Sequence, residues 1–243
     1  SKSILMIGNY LPAGRWNKNV WHYLAEHLQE SGWHVITTSG KENRLLRLID
    51  MLTTIWRQRH HYSLAQIDVF SGRAFVFAEA CALALKALKK PIVLTLHGGK
   101  LPDFSKKNPR RVRRVLGAAA AVVTPSPFIQ SSLASFHSKI HLIPNPIDLT
   151  SAIFRLREKP KPRLIWVRAF HAVYNPSLVP KLIKVLEPEF PDTHLLMIGP
   201  DKGDGSLGRM LDDARNLGVE YRIDIVGKVP HQEIPKWLDK ADI

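Results

Sequence analysis

The sequence predicts an α/β protein of two doubly wound units with parallel sheets, the second incomplete. Three observations predict it. Short apolar runs alternate with longer helical patterns along the chain. The runs are continuously apolar, as in strands covered on both faces. A charged, proline-broken stretch, RLREKPKPR at 155–163, then interrupts the alternation, which afterwards resumes.

The first unit is expected at residues 1–154. Its strands read as Ile4–Ile7, His34–Thr37, Ile67–Phe70, Ile92–Leu96, Ala121–Thr124 and Ile140–Ile143, each a short apolar or β-branched run. Its helices read as Asn17–Ser31, Arg44–Arg59, the alanine-rich Ala74–Leu88, Arg110–Ala118 and Pro127–Phe136. Residues 155–162 read as a linker. The second unit, 163–243, offers strands Arg163–Val167, His194–Ile198 and Tyr221–Val226 with helices Ser177–Leu186, Ser206–Leu217 and His231–Lys240. With so few strands, an exposed sheet edge and apolar faces are expected there.

Composition narrows the function. The chain has 243 residues, 45% hydrophobic and 23% charged, the profile of a globular protein. Its single cysteine, Cys81, excludes an internal disulfide framework and reads as a buried, inert thiol. The longest apolar stretch, Ala74 to Leu85, is broken by Glu79 and too short to span a bilayer. Ser1-Lys2-Ser3 leads straight into a strand, so no secretory leader is expected. The expected location is the cytoplasm, with peripheral attachment to the inner membrane face left open. Net charge is +14 and uneven: residues 1–155 carry 21 Lys+Arg against 8 Asp+Glu, residues 156–243 carry 14 against 13. That field points to an anionic partner for the first half, or to a solvated face.

Ligands of open α/β sheets collect at the carboxyl ends of strands. The stretch VLTLHGGK places His97, Gly98 and Gly99 there on the fourth strand, where glycine lets backbone approach a ligand. A histidine hydrogen-bonded to local backbone would look the same. The loop Gly8–Asn19 is glycine-bearing and basic and opens a helix, which favours a phosphate or sugar site. Gly203-Asp204-Gly205-Ser206-Leu207-Gly208 matches a dinucleotide fingerprint in letters. Pro200-Asp201-Lys202 lengthens that turn, and Asp201 and Asp204 oppose a pyrophosphate, so NAD binding is rejected. The histidines lack metal-ligand spacing, and no metal site is expected. Lys106, Lys107, Arg110, Arg111, Arg113 and Arg114 form a basic cluster, and RLLRLIDMLTTIWRQR mixes leucines and Trp56 with four arginines. Such faces dock on anionic membranes at about 1 kcal/mol per cation, or simply cover a core. Nucleic acid has no recognised module here to support it.

Taken in order, NYLPAGRWNKNVWHYLAEHLQESGWHVITTS, LTLHGG, VVTPSPF, IPNPIDL, LIWVRAFHAVYNP, LLMIGPDKGDGSL and IVGKVPHQEIPKWLDKADI resemble the nucleotide-sugar glycosyltransferases called glycosyl transferases group 1, of the retaining GT-B type. The resemblance covers nearly the whole chain. It implies two Rossmann-like domains facing a cleft, the first holding a glycan or lipid-linked acceptor and the second a nucleotide-diphosphate sugar. That donor is a substrate, and no cofactor is expected. Gly14 matches the first-loop glycine that faces the donor diphosphate, and His97 the histidine near the transferred sugar. Arg168 matches the arginine that neutralises the leaving diphosphate. Asn17, Gly98 and Gly99 fall near acceptor or sugar. Two departures stand out. Where the family has a second diphosphate lysine, this chain has Tyr174-Asn175-Pro176, leaving Asn175 as a neutral donor and Lys202 as a candidate replacement. The family's paired glutamates lie beyond the equivalent of Ala241-Asp242-Ile243, so the expectation is a truncated hexosyltransferase of impaired activity. The alternative is a non-catalytic basic α/β module that binds anionic lipid or nucleic acid.

Overall fold

The computed structural model describes residues 2–8, 20–145 and 154–243. The chain divides into two compact units, Ser1–Ile147 and Asp148–Ile243.

In the first unit, strands β1 (Ser3–Ile7), β2 (His34–Thr38), β3 (Leu64–Val69), β4 (Ile92–Leu96), β5 (Ala121–Thr124) and β6 (Ile140–Leu142) form one sheet of order β2-β1-β3-β4-β5-β6. All its pairings are parallel. The reading of the apolar runs holds best for β1, whose five residues are all buried between two neighbours. Edge strand β2 is only partly buried, which is why its sequence tolerates a histidine.

The helices follow from local chemistry. α1 (Val20–Glu30) packs on the β1/β2 side, where Trp21, Leu28, Trp33 and Val35 enclose Ile4 and Met6. Asn43 starts α2 (Arg44–Arg57), its side-chain oxygen accepting from the amides of Leu45 and Leu46. α3 (Phe75–Ala87) buries Phe75, Ala78, Ala82 and Leu85, one face at helical spacing. Cys81 is fully buried on that face, and desolvation pushes its thiol up to about 12, so it is no nucleophile at neutral pH.

The helix expected at Arg110–Ala118 is α5 (Pro109–Leu116), and a helix absent from the sequence reading, α4 (Leu101–Lys107), precedes it. Pro102 occupies the first turn of α4, where its missing N–H costs nothing. Asn108 then leaves helical geometry before Pro109 opens α5. In the motif VVTPSPF, Thr124 donates to the Leu96 carbonyl, and Ser126 caps α6 (Pro127–Leu133) through the Ile129 amide.

The second unit contains β7 (Arg163–Val167), α7 (Leu178–Leu186), β8 (His194–Ile198), α8 (Ser206–Asn216), β9 (Ile223–Gly227) and α9 (Ile234–Leu238). Its parallel sheet has order β7-β8-β9. Phe170, Ile183, Met197, Met210 and Val219 centre a smaller core. The expected open edge lies at β9, which has one strand neighbour among the described residues. The outer side of β7 is occupied: the Asp242 amide donates to the Arg163 carbonyl at 2.8 Å, and the Ile165 amide to the Ile243 carbonyl at 2.9 Å.

The stretch read as a linker is fastened to that same edge. Asp242, with a side chain 4% exposed, accepts from Arg157 Nε at 3.0 Å and Arg163 Nη2 at 2.9 Å, with Arg155 Nη2 3.5 Å away. The Lys161 amide donates to it at 3.0 Å. That backbone hydrogen bond, then the arginines, hold its carboxyl below the usual carboxylate range.

Candidate active site

In the first unit the chain runs from β1 out to β2 and returns to β3 on the other side. The crossover helices leave in opposite directions there, and a crevice opens at the strand ends, the usual ligand position of such sheets. A hollow of about 510 Å³ occupies this point. Ile7 and Gly8 from the end of β1, Asp68 and Phe70 from the end of β3, and Trp21 and Arg47 from α1 and α2 line it.

His97 follows β4, the next strand over. Its amide donates to the Val69 carbonyl at 2.9 Å, continuing the ladder. The expectation of local backbone capping fails for the ring, whose Nε2 lies 3.2 Å from Asp68 Oδ1. A carboxylate only accepts, so the proton sits on Nε2 and Nδ1 is left for other work. Gln66 Nε2 donates to the same Oδ1 at 2.8 Å and to Thr95 Oγ1 at 2.9 Å. Phe70 stacks on the imidazole with centroids 5.2 Å apart and planes 20° from parallel, and Trp21 meets both rings edge-on. His97 is thus fixed in position and tautomer on a rigid strand end.

Asp68 and Gln66 escape a sequence reading centred on loops. Their signal is two polar residues at i and i+2 inside the apolar strand LAQIDV, hence on one face. Gly98 has φ +88°, which favours glycine, and its carbonyl accepts from the Leu101 amide to turn the chain into α4. Gly98 and Gly99 are both exposed beside His97. Gly14 and Asn17 lie outside the described residues.

In the second unit Arg168 directly follows β7 and is exposed, its guanidinium 5.3 Å from the Tyr174 ring centroid. Gly199, at the end of β8, lies against its backbone: a Cβ there would fall 1.8 Å from the Arg168 carbonyl oxygen. Asn175 sits in left-handed geometry, φ 52°, which asparagine tolerates.

Two clasps join this loop to the one bearing Lys202. The Lys202 amide donates to the Phe170 carbonyl at 3.1 Å, and Asp204 Oδ2 accepts from the Ala172 amide at 2.8 Å. Arg168, Asn175 and Lys202 therefore occupy adjoining loops at one end of the sheet. Asp201 and Asp204 also accept from the amides of Gly203 and Ser206. Two of the backbone donors of the fingerprint-like loop are thus already used.

Of the six cations in the basic cluster, Arg111 is withdrawn from the surface field. It pairs with Glu79 through both guanidinium arms and lies over the rings of Phe75 and Phe104. Among the described residues no group of three or more His, Cys, Asp or Glu is arranged for a metal, and no helix is long and apolar enough to cross a membrane.

Comparison with known proteins gives this geometry a context. No curated protein matches the chain significantly. Among solved structures it is similar to Anabaena HepE in complex with UDP, 14% identical, covering 100% of this chain and 72% of that chain at a TM-score of 0.69. It is similar to a glycosyltransferase from Rickettsia africae at 14% identity, 97% and 70% coverage and a TM-score of 0.64. It is also similar to UDP-GlcNAc 2-epimerase from Methanocaldococcus jannaschii at 12%, 99% and 77%, with a TM-score of 0.57. Identities this low establish the GT-B fold alone, and the epimerase shows that one fold carries more than one reaction. The sequence itself is more decisive. Residues 18–151, more than half the chain, match the model of Glycosyltransferase Family 4, and the protein belongs to that family.

Proposed function

We propose that this protein transfers a hexosyl group from a nucleotide-diphosphate sugar to a glycan or lipid-linked acceptor with retention of configuration. The observation that carries the reading is the family match over the unit that holds His97. The Anabaena neighbour is bound to UDP, which supports a uridine diphosphate donor.

In this reading Arg168, Asn175, Lys202 and Gly14 are the residues that bind the donor diphosphate, and Asn17 is one of those near acceptor or sugar. The bond between the anomeric carbon and the leaving phosphate oxygen breaks, and its electron pair departs with the diphosphate. The Arg168 guanidinium offsets the charge that builds there. An acceptor hydroxyl oxygen forms the new bond to the anomeric carbon and passes its proton to the departing diphosphate oxygen. His97, oriented by Asp68, hydrogen-bonds the transferred sugar. The donor is a substrate, and no cofactor takes part.

The test is release of UDP or GDP from labelled nucleotide hexoses in the presence of bacterial lipid and glycan extracts. Turnover should fall about 10²-fold or more in Arg168→Ala, and NMR of the product should show the donor's anomeric configuration. Inverted product sinks retention. Absence of both turnover and nucleotide-sugar binding sinks the transferase reading and favours the non-catalytic module.

A peripheral membrane position is part of the proposal. α2 leaves Leu45, Leu46, Ile49 and Trp56 exposed beside its arginines, an amphipathic face suited to an anionic bilayer on the cytoplasmic side. Phosphatidylglycerol vesicles should sediment the protein at low salt, phosphatidylcholine vesicles should not, and added salt should release it.

A further inference from the structure

We infer that Asp204, on the loop after β8, is a positioning residue for Arg168. It holds the turn Ala172–Tyr174 so that the Tyr174 ring backs the guanidinium and leaves its N–H groups for the donor diphosphate. The ligand in this inference rests on the transferase reading, while the arrangement follows from the loops themselves.

The loops after β7 and β8 prolong the parallel ladder of the sheet. The Arg168 amide donates to the Ile198 carbonyl and the Phe170 amide to the Pro200 carbonyl, both at 2.9 Å. The Lys202 amide donates back to the Phe170 carbonyl at 3.1 Å. The next rung of such a ladder would join the Ala172 amide to the Lys202 carbonyl. Instead the Ala172 amide donates to Asp204 Oδ2 at 2.8 Å, so a side chain supplies the last rung. Gly203 and Gly205, at φ 72° and 76°, flank Asp204 in left-handed geometry, and its Oδ1 accepts from the Ser206 amide at 3.1 Å. The glycines of the fingerprint-like run thus aim a carboxylate at the neighbouring loop rather than admit a pyrophosphate.

The rung matters because of what the turn carries. Ala172–Tyr174 is a single 3₁₀ turn closed from within. The Tyr174 amide donates to the His171 carbonyl at 2.9 Å, the Asn175 amide to the Ala172 carbonyl at 3.1 Å, and the Val173 amide to His171 Nδ1 at 3.1 Å. The amide of Ala172 opens the turn and finds its acceptor outside it, in Asp204. That bond sets where Tyr174 stands. The Arg168 guanidinium lies over the Tyr174 ring and makes no hydrogen bond or ion pair among the described residues. Held by its face, it keeps its edge donors for a ligand.

An aspartate beside an anion ordinarily weakens binding. Here both carboxylate oxygens accept from backbone amides. With Nδ1 accepting, the neutral His171 ring carries its proton on Nε2, 3.8 Å from Asp204 Oδ2. The charge is turned on donors of the protein's own loops. The sign of a mutational effect therefore separates positioning from plain repulsion.

The test is titration of the full chain with UDP and with inorganic pyrophosphate, followed by NMR. The variants are Asp204→Ala, Asp201→Ala, Arg168→Ala and the double variant of Asp204→Ala with Arg168→Ala. Asp204→Ala should raise both Kd values about tenfold. Asp201→Ala removes an equal charge from the same loop, where Asp201 accepts from Gly203 and not from Ala172, and should leave both unchanged. In the Arg168→Ala background, Asp204→Ala should add no further loss, the mark of a residue that acts through Arg168. The Arg168 Nε–H signal should also lose order in Asp204→Ala, read as a lower heteronuclear NOE.

Unchanged or tighter binding in Asp204→Ala, equal weakening in Asp201→Ala, or a full further loss in the double variant overturns the inference. If Asp204→Ala fails to fold, Tyr174→Leu on the exposed turn decides. Pyrophosphate binding about threefold weaker, with a mobile Arg168, supports the inference, and wild-type values overturn it. A wild type that binds neither UDP nor pyrophosphate refutes the donor reading, and the order of Arg168 in Asp204→Ala then decides the inference alone.

Discussion

The two units are built on one plan and differ in how completely they execute it. In the first, six strands let β1, β3, β4 and β5 sit with neighbours on both edges, and the core runs from Leu5 through Leu94 to Leu133. In the second, the three strands among the described residues leave only β8 flanked on both sides by strands, and β7 is half-exposed along most of its length.

Charge is handled in opposite ways. Residues 148–243 neutralise many of their cations in place, through Arg157 and Arg163 on Asp242, Arg222 and Lys184 on Glu187, and Arg215 on Asp212. The first unit leaves a balance of +13 largely uncompensated. A large core tolerates the self-repulsion of a one-signed surface, whereas a small one leans on polar clasps.

The comparison can be broken first in the cores. Leu94→Ala in β4 and Met197→Ala in β8 each remove a fully buried side chain and should each cost about 2–5 kcal/mol. Hydrogen exchange should show the first unit still folded in Leu94→Ala and the second unfolded in Met197→Ala; equal outcomes would dismiss the difference in reserve. Next in size, Gly199→Ala should cost about 1–3 kcal/mol by pushing a methyl into the Arg168 carbonyl. It should also loosen the Arg168 loop, visible as faster amide exchange at 168–175. In the first unit, Asn43→Ala removes the cap of α2 and should cost only about 1 kcal/mol, read as a shift of thermal midpoint.

The smallest effect concerns pH. The Asp242 carboxyl is held below its ordinary value, so its contribution is present above the unfolded pKa of about 4 and is lost as pH falls through the folded one. On acidification below about pH 4, limited proteolysis should cut residues 155–163 and 239–243 before it cuts the first unit. Simultaneous loss would show that the clasp is not what distinguishes the second unit.

Much of this molecule was legible in its letters. Apolar runs such as SILMI and IVLTL are long enough to cross a sheet and nothing else, so the sequence alone determined the parallel α/β class and the placing of His97 at a strand end. The helix at Arg110–Ala118 was legible, yet the independent helix before it was not, because the seven residues LPDFSKK are too few to show a helical period.

What only tertiary structure decided is which polar groups meet. Asp68 and His97 are 29 residues apart, and Arg155 and Arg157 reach Asp242 from more than 80 residues away. Sequence periodicity fixes the face on which a side chain lies but carries no record of which strand lies beside it. That choice belongs to strand order, which is set by packing over the whole sheet.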